Sequence, residues 1–522
     1  MTETITPLKN EETVQKRAAK GGLVSGVSFA LNMGLNLIQV PFLLRFWPQD
    51  IYGLWLSVGA LATLLTSLDG GHQAYVGNLL GRYYVEDRAM FHRTVASAVR
   101  VAALTSTVQI ILTLLLCASG LAPRWLGIAS QHAVDFSLAV AVYTVGWIST
   151  GSMGAILVRL FPPTGFFVRS MWWGIAARLA QFLAVAAAAW FGWGLVGTSV
   201  LFASTVFVYN VLLFADIRRL FPEFFPWWRG GDFRHGLGNF ARSNVLTGVS
   251  LLDLLSLQGV VLLVTGSLGA AVVPLFTTLR TLANTAMQGT GFLLNPIQPD
   301  LIRYHVQREG AKLSAVFGFF WLMTGAAING GLLAGLFLIE PVYTFWTRGK
   351  LVFDRRLFGW LAAAVLVRTL AAPLQNYLTA INELKALSIT AVIRATLTVG
   401  GVLALAPAWG LAGVGAALFV AELAGSLVLP WWFTIQAMAR LDSRIDWVAP
   451  ALALSSTVSA CAVLAGFAFN AGFWPWLDGL ALGVVLVVAI AQWRSLPPEV
   501  KHRVLSVVRP ALIFWRSPVP VP

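Results

Sequence analysis

The sequence predicts an all-α polytopic membrane protein of about 14 transmembrane helices, and three observations carry that prediction. Apolar stretches long enough to cross a bilayer follow one another almost from end to end of the 522 residues. Hydrophobic residues make up 57% and charged residues only 11% of the chain, whereas a soluble domain carries about 25% charged residues. The connections between the stretches are too short to hold a soluble domain.

At about 20 apolar residues per crossing, helices are expected near 22–46, 52–68, 94–119, 134–158, 166–190, 193–214, 242–266, 270–296, 313–338, 357–382, 386–406, 410–434, 448–470 and 474–492. A polar tail with Lys9, Lys16, Arg17 and Lys20 precedes the first, and no small-residue cleavage site follows it, so a retained helix is expected rather than a cleaved signal peptide. Lysine and arginine in the connecting segments are strongly biased to one side: 23 fall there, against Arg124, Arg348, Lys350, Arg355 and Arg356 opposite. By the positive-inside rule both termini belong in the cytoplasm. Most of the +14 net charge is therefore a topology signal, and nucleic acid is not an expected partner.

Several function classes drop out. No G-x-x-x-x-G-K-[ST] phosphate loop and no H-E-x-x-H pair occurs, and the six histidines (His72, His92, His132, His235, His305, His502) are scattered near loops. The expectation is a non-enzyme with no cofactor and no metal centre, whose active transport draws on an ion or substrate gradient. Cys117 and Cys461 lie inside apolar stretches and imply no disulfide framework. A membrane glycan polymerase or ligase would need a sizeable outer loop for its catalytic groups, and the longest outer connections, 119–133 and 340–356, are short.

A weak internal repeat suggests the architecture. Leu80-Gly81-Arg82-Tyr83-Tyr84-Val85 follows the second stretch, and Leu301-Ile302-Arg303-Tyr304-His305-Val306 follows the eighth. The expected organisation is a cytoplasmic tail 1–21, an N-lobe 22–215 of six helices, a basic cytoplasmic linker 216–240 and a C-lobe 241–435 of six helices. An extra helix pair 436–493 and a basic amphipathic tail 494–522 complete it. Repeated halves place a transporter's substrate site at their interface, near the membrane midplane.

Val40-Pro41-Phe42-Leu43-Leu44, Ile51-Tyr52-Gly53-Leu54-Trp55, Leu68-Asp69-Gly70-Gly71 with Asn78, Val273-Pro274-Leu275-Phe276 with Leu279-Arg280-Thr281-Leu282, and Pro296, Pro299 and Leu301 occur in that order and spacing. In these runs, over roughly residues 20–435, the chain resembles the polysaccharide-transporter branch of the multidrug/oligosaccharidyl-lipid/polysaccharide exporter superfamily. That branch includes bacterial O-antigen flippases, with the lipid II flippase more distant. The resemblance implies an inner-membrane protein that moves a polyprenyl-diphosphate-linked sugar by rocking two halves, in contact with membrane lipids and other polysaccharide-assembly proteins. The second helix carries no basic residue, which departs from the lipid II flippase pattern.

Polar stripes within the apolar helices give the candidate site. Thr277, Arg280, Thr281, Asn284 and Gln288 share one face of the eighth helix, as do Arg368, Gln375, Thr379 and Asn382 on the tenth and Ser25, Ser28, Asn32, Asn36 and Gln39 on the first. A polar stripe in lipid must face protein or water, and three of them from both halves suggest one cavity. Arg280, Arg368, Arg178 and Arg45 are the candidate diphosphate ligands, since guanidinium stays charged and presents a planar fork of donors. Asn32, Asn36, Gln39, Asn284, Gln288 and Gln375 are candidates for sugar hydroxyls. Asp253 is the informative intramembrane acid, a candidate either for carrying a proton or sodium ion or for pairing with Arg280 or Arg242. Arg169 and Arg394 are expected to snorkel at cytoplasmic ends, Gly22 with Gly26 and Gly331 with Gly335 to bring helices close, and Glu422 and Asp478 receive no role. The other reading is a multidrug exporter, which would prefer an acidic or aromatic cavity for cationic drugs.

Overall fold

In a computed structural model, residues 14–288, 298–440 and 448–496 are described, together with Pro498 and Lys501. The described residues are helical throughout, with no strand. Eleven helices are long and apolar enough to cross a membrane, or up to 12 when one bent pair counts as a span. This is a multi-pass membrane protein, and its surface agrees: Leu115, Leu212 and Val487 are 62%, 55% and 65% exposed, a placement that water penalises and hydrocarbon accepts. The chain divides into two compact units, with the boundary between Ser250 and Leu251.

The first unit holds α1 (Val14–Phe46), α2 (Gln49–Thr66), α3 (Gly70–Glu86), α4 (Arg88–Ala118), the short α5 (Leu121–Trp125), α6 (Ser130–Val158), α7 (Phe167–Trp190), α8 (Leu195–Leu220) and most of α9 (Phe233–Leu254). Its helices pack chiefly as α6 on α8, α4 on α6 and α1 on α7. The close approach of α6 and α8 follows from small residues, Gly146 facing Ala203 and Gly154 facing Asn210.

The second unit continues through α10 (Val260–Leu268), α11 (Val273–Gln288), α12 (Gln298–Val306), α13 (Gly310–Thr324), α14 (Gly330–Trp346), α15 (Arg355–Ala380), α16 (Leu384–Ala421), α17 (Leu429–Ala439), α18 (Val448–Ala468) and α19 (Trp474–Ser495). Its centre is α15, buried over most of its circumference, with Arg368 and Gln375 as the polar interruptions. Of its most apolar 18-residue window 89% is buried, with Gly359 set against Ala468 of α18.

Several boundaries differ from the sequence reading. The segment 69–93, expected to be a basic loop, is α3 and the start of α4, with Arg82, Arg88 and Arg93 on helices. The expected division between helices 386–406 and 410–434 is present, the two helices meeting without a separate loop within Leu384–Ala439. Gly410, at φ 57° and ψ −139°, reverses the chain there, in a conformation open to glycine alone. Gly401 and Ala417 consequently face each other across the turn. The expected helix 270–296 is described for Val273–Gln288. Gly22, Gly26, Gly331 and Gly335 meet no neighbour; the close contacts lie at other glycines. The tail residues of the expected amphipathic segment beyond Lys501 lie outside the described residues.

The two repeat runs occupy matching local settings. Leu80–Val85 lies on α3 and Leu301–Val306 on α12, each just before a long helix. Leu80 is buried against Phe91, Val95 and Leu157, and Leu301 against Leu313, Val316 and Phe317.

Candidate functional site

The predicted polar residues form two groupings, one within each unit. In the first, Arg178 Nε of α7 donates to Asn32 Oδ1 of α1 at 3.1 Å. The Asn32 amide in turn donates to the Ser28 carbonyl at 2.8 Å. Ser25 Oγ, two turns below Asn32, donates to Met171 Sδ at 3.6 Å. Asn36 and Gln39 continue the stripe as half-buried side chains. Arg45 does not join it: the side chain is exposed in the last turn of α1 and lies over its neighbour Phe46, 5.8 Å from the ring centroid.

The second grouping is built on two π-helical turns. Where a helix widens from i→i−4 to i→i−5 bonding, a backbone carbonyl is left without its usual partner, and such turns recur at functional sites. Leu255–Gly259, between α9 and α10, is one turn, and Glu422–Val428, between α16 and α17, is another. Side chains from neighbouring helices take the released carbonyls. Arg280 Nη1 donates to Leu257 O at 2.7 Å, and Gln375 Nε2 donates to Ser426 O at 3.2 Å.

Around these turns the charges are unevenly matched. Arg368 Nη1 lies 4.0 Å from Glu422 Oε1, and Ser426 Oγ donates to the other oxygen of that carboxylate. Arg280 lies within electrostatic reach of both Arg368 and Glu422, yet among the described residues it makes no ion pair of its own. Two guanidinium groups therefore share one carboxylate. Of the five N–H donors that a guanidinium carries, Arg280 gives one to Leu257 and keeps accessible surface for the rest. Asn284, one turn further along α11, is half-buried, and the Gln288 side chain lies outside the described residues.

Several sequence-level expectations change. Asp253 is paired, but with Arg394 of α16 rather than with Arg280 or Arg242. The Arg394 side chain is 13% exposed, so it does not snorkel. Arg169, half exposed in the first turn of α7, closes a two-pronged bond on Asp216, to which Trp173 Nε1 also donates at 2.8 Å. Glu422, without a polar stripe in the sequence, is the counter-charge of Arg368. Its only sequence signal was Ser426 one turn later, too common a spacing to single out.

The described residues thus form a multi-helix membrane fold with one polar grouping in each unit. No family model and no curated protein matches this chain; the likeness is to solved structures. A lipid II flippase, MurJ, in an inward closed conformation superposes with TM-score 0.62 at 13% identity over 91% of this chain and 99% of that one. An inward-facing multidrug resistance MATE family transporter of the MOP superfamily gives TM-score 0.61 at 14% identity over 78% of this chain and 94% of that one. An outward-facing transporter of the MATE family gives 0.55 at 12% identity, covering 82% and 96%. At these identities the likeness establishes a shared fold.

Proposed function

We propose that this protein is a flippase that moves a polyprenyl-diphosphate-linked oligosaccharide, an O-antigen or exopolysaccharide repeat unit, across the bacterial inner membrane. The observation that carries the reading is the arginine excess at the π-helical turns: among the described residues, Arg280 and Arg368 share the single carboxylate of Glu422. A site with one cation to spare and several unused N–H donors favours an anionic cargo, and guanidinium matches phosphate oxygens in geometry. Within the first unit, the Arg178–Asn32 pair offers a guanidinium and an amide of its own, suited to phosphate and to sugar hydroxyls. The lobes 22–215 and 241–435 would expose this site alternately to either side, with both termini cytoplasmic and membrane lipids and polysaccharide-assembly proteins as partners.

The fold is equally that of multidrug transporters, so cargo is the point to test. In cells depleted of the protein, a lectin or glycosidase confined to the outer face of the inner membrane reports the sidedness of lipid-linked oligosaccharide. Accumulation on the cytoplasmic face, reversed by restoring the protein, is expected. Unchanged sidedness with raised sensitivity to cationic drugs would replace this reading with that of a drug exporter.

A further inference from the structure

One acid remains outside this account. Asp69 stands at the break between α2 and α3, where the paired helices bend by 51°. It is the N-cap residue of α3, and aspartate there ordinarily accepts from the second or third backbone N–H of the helix. Here the side chain makes no capping bond. The carboxyl group is instead turned inward, 1% exposed, and Oδ1 has no hydrogen-bond partner. Its neighbours are Gln73 of α3, Gln109 of α4 and Ser152 of α6, with no charged side chain among them. Gln109 is 3% exposed, and neither its carbonyl oxygen nor its amide nitrogen finds a partner among the described residues.

A buried carboxyl group with one oxygen unpartnered, beside a buried carboxamide, is costly in an apolar interior. One ligand relieves both. The set offers a carboxylate, two amide oxygens and a hydroxyl, all hard oxygen donors of the kind that hold alkali and alkaline-earth cations. It carries one formal negative charge, which a monovalent ion neutralises and a divalent ion over-balances. Among the described residues no three His, Cys, Asp or Glu side chains converge to hold a transition metal.

We propose that Asp69, Gln73, Gln109 and Ser152 form a buried site for a monovalent alkali cation at the α2–α3 break. The site is placed to be felt elsewhere. Two residues on, Gly71 abuts the Thr247 backbone of α9 so closely that a methyl group would not fit, and the His72 ring packs on Phe240 at 5.3 Å. Any shift of the break on binding therefore presses on α9, the helix that runs on to Asp253 and the first π-helical turn.

The test uses the purified full-length protein and sodium chloride against choline chloride at equal ionic strength and fixed pH, read as thermal unfolding temperature. Because no cargo is involved, its outcome is separate from that of the flippase reading. A saturable, sodium-specific rise is expected in the wild type and none in Asp69→Asn. In Gln109→Leu, which leaves the acid intact, the apparent sodium affinity should fall by about 10–100-fold, the range that loss of even an outer partner costs a metal site. Asp253→Asn should keep the full response. The proposal is overturned if sodium has no effect on the wild type, if only lowered pH stabilises it, if both Asp69→Asn and Gln109→Leu respond like the wild type, or if Asp253→Asn alone loses the response.

Discussion

Asp69, at the break between α2 and α3, and Asp253, within α9, are acids one in each unit, and their surroundings differ completely. Asp253 faces Arg394 and forms an ion pair with it; Asp69 faces two glutamines and a serine and forms none. Charge neutrality is met by an ion pair at one position, while at the other no counter-charge is found among the described residues, which is why a cation is proposed there. The same contrast separates Glu422, held by Ser426 and Arg368, from Arg280, whose charge has no carboxylate of its own. An ionised group in this interior is either a strut, when its partner is covalently present, or a receptor, when it is not.

The largest effect should come from breaking the receptors. On the proposed reading, Arg280→Ala and Arg368→Ala each remove one guanidinium from the anion site, and truncating one member of such a charge pair costs about 2–5 kcal/mol of affinity, roughly 30-fold to several-thousandfold. Transport should be lost while the protein still accumulates and purifies as a monodisperse folded species. Wild-type transport in both variants would dismiss the cationic site.

The struts should behave in the opposite way. Asp253→Leu leaves Arg394 charged at 13% exposure, and a buried pair stripped of one partner loses about 3–5 kcal/mol. The Asp253 side chain is 45% exposed, so solvent screening reduces the expected loss to about 2 kcal/mol. The double variant Asp253→Leu/Arg394→Leu should recover most of it, since replacing both partners by apolar groups is close to neutral. Unfolding midpoints in detergent decide the matter, and strictly additive losses would show that the two side chains are not a unit. Gln375→Leu is a smaller version of the same test: it leaves the Ser426 carbonyl of the second π-helical turn without its donor, at about 1–2 kcal/mol.

Asp253 stands out in the sequence as an intramembrane acid with pairing among its alternatives, whereas its partner Arg394 and the counter-charge Glu422 do not read as such, for a physical reason. Arg280, Arg368 and Asn32 stand out because a charge or amide amid leucines and valines is conspicuous along the chain, and helical spacing sorts such residues onto faces. Arg394, Glu422 and Asp216 take their meaning from side chains 141, 54 and 47 residues away, and no local pattern encodes that. The long apolar helices were legible for the same reason of local periodicity. The break at Asp69 and the helix after it were not, because Gly70-Gly71-His72 reads as a turn and only packing of Leu80 and Val76 against α4 and α6 makes the segment helical. The reversal at Gly410 lies at the expected division between 386–406 and 410–434, although the backbone there passes through without a separate loop. The π-helical turns left no sequence signal, since a widened turn depends on which neighbour takes the released carbonyl.

An ion pair outside the spanning helices sharpens the comparison by removing burial from it. Asp232, just before α9, accepts from Arg93 Nη2 at 2.6 Å and from the Arg234 backbone N–H at 2.8 Å. The Arg93 bond, assisted by that N–H, holds its carboxyl below the usual value of 3.8. A depressed acid stabilises the fold once the pH exceeds its unfolded value, and the contribution disappears as the pH falls through the lower, folded value. Stability of the wild type relative to Asp232→Asn should therefore be flat at all pH values well above 3.8 and converge below it. The side chains are 47% and 39% exposed, so the pair is screened and the difference should be the smallest of the set, abolished by high salt. A large or salt-insensitive difference would mean that solvent exposure is not what separates weak struts from strong ones in this protein. The contrast between Asp69 and Asp253 would then have to rest on donor geometry alone.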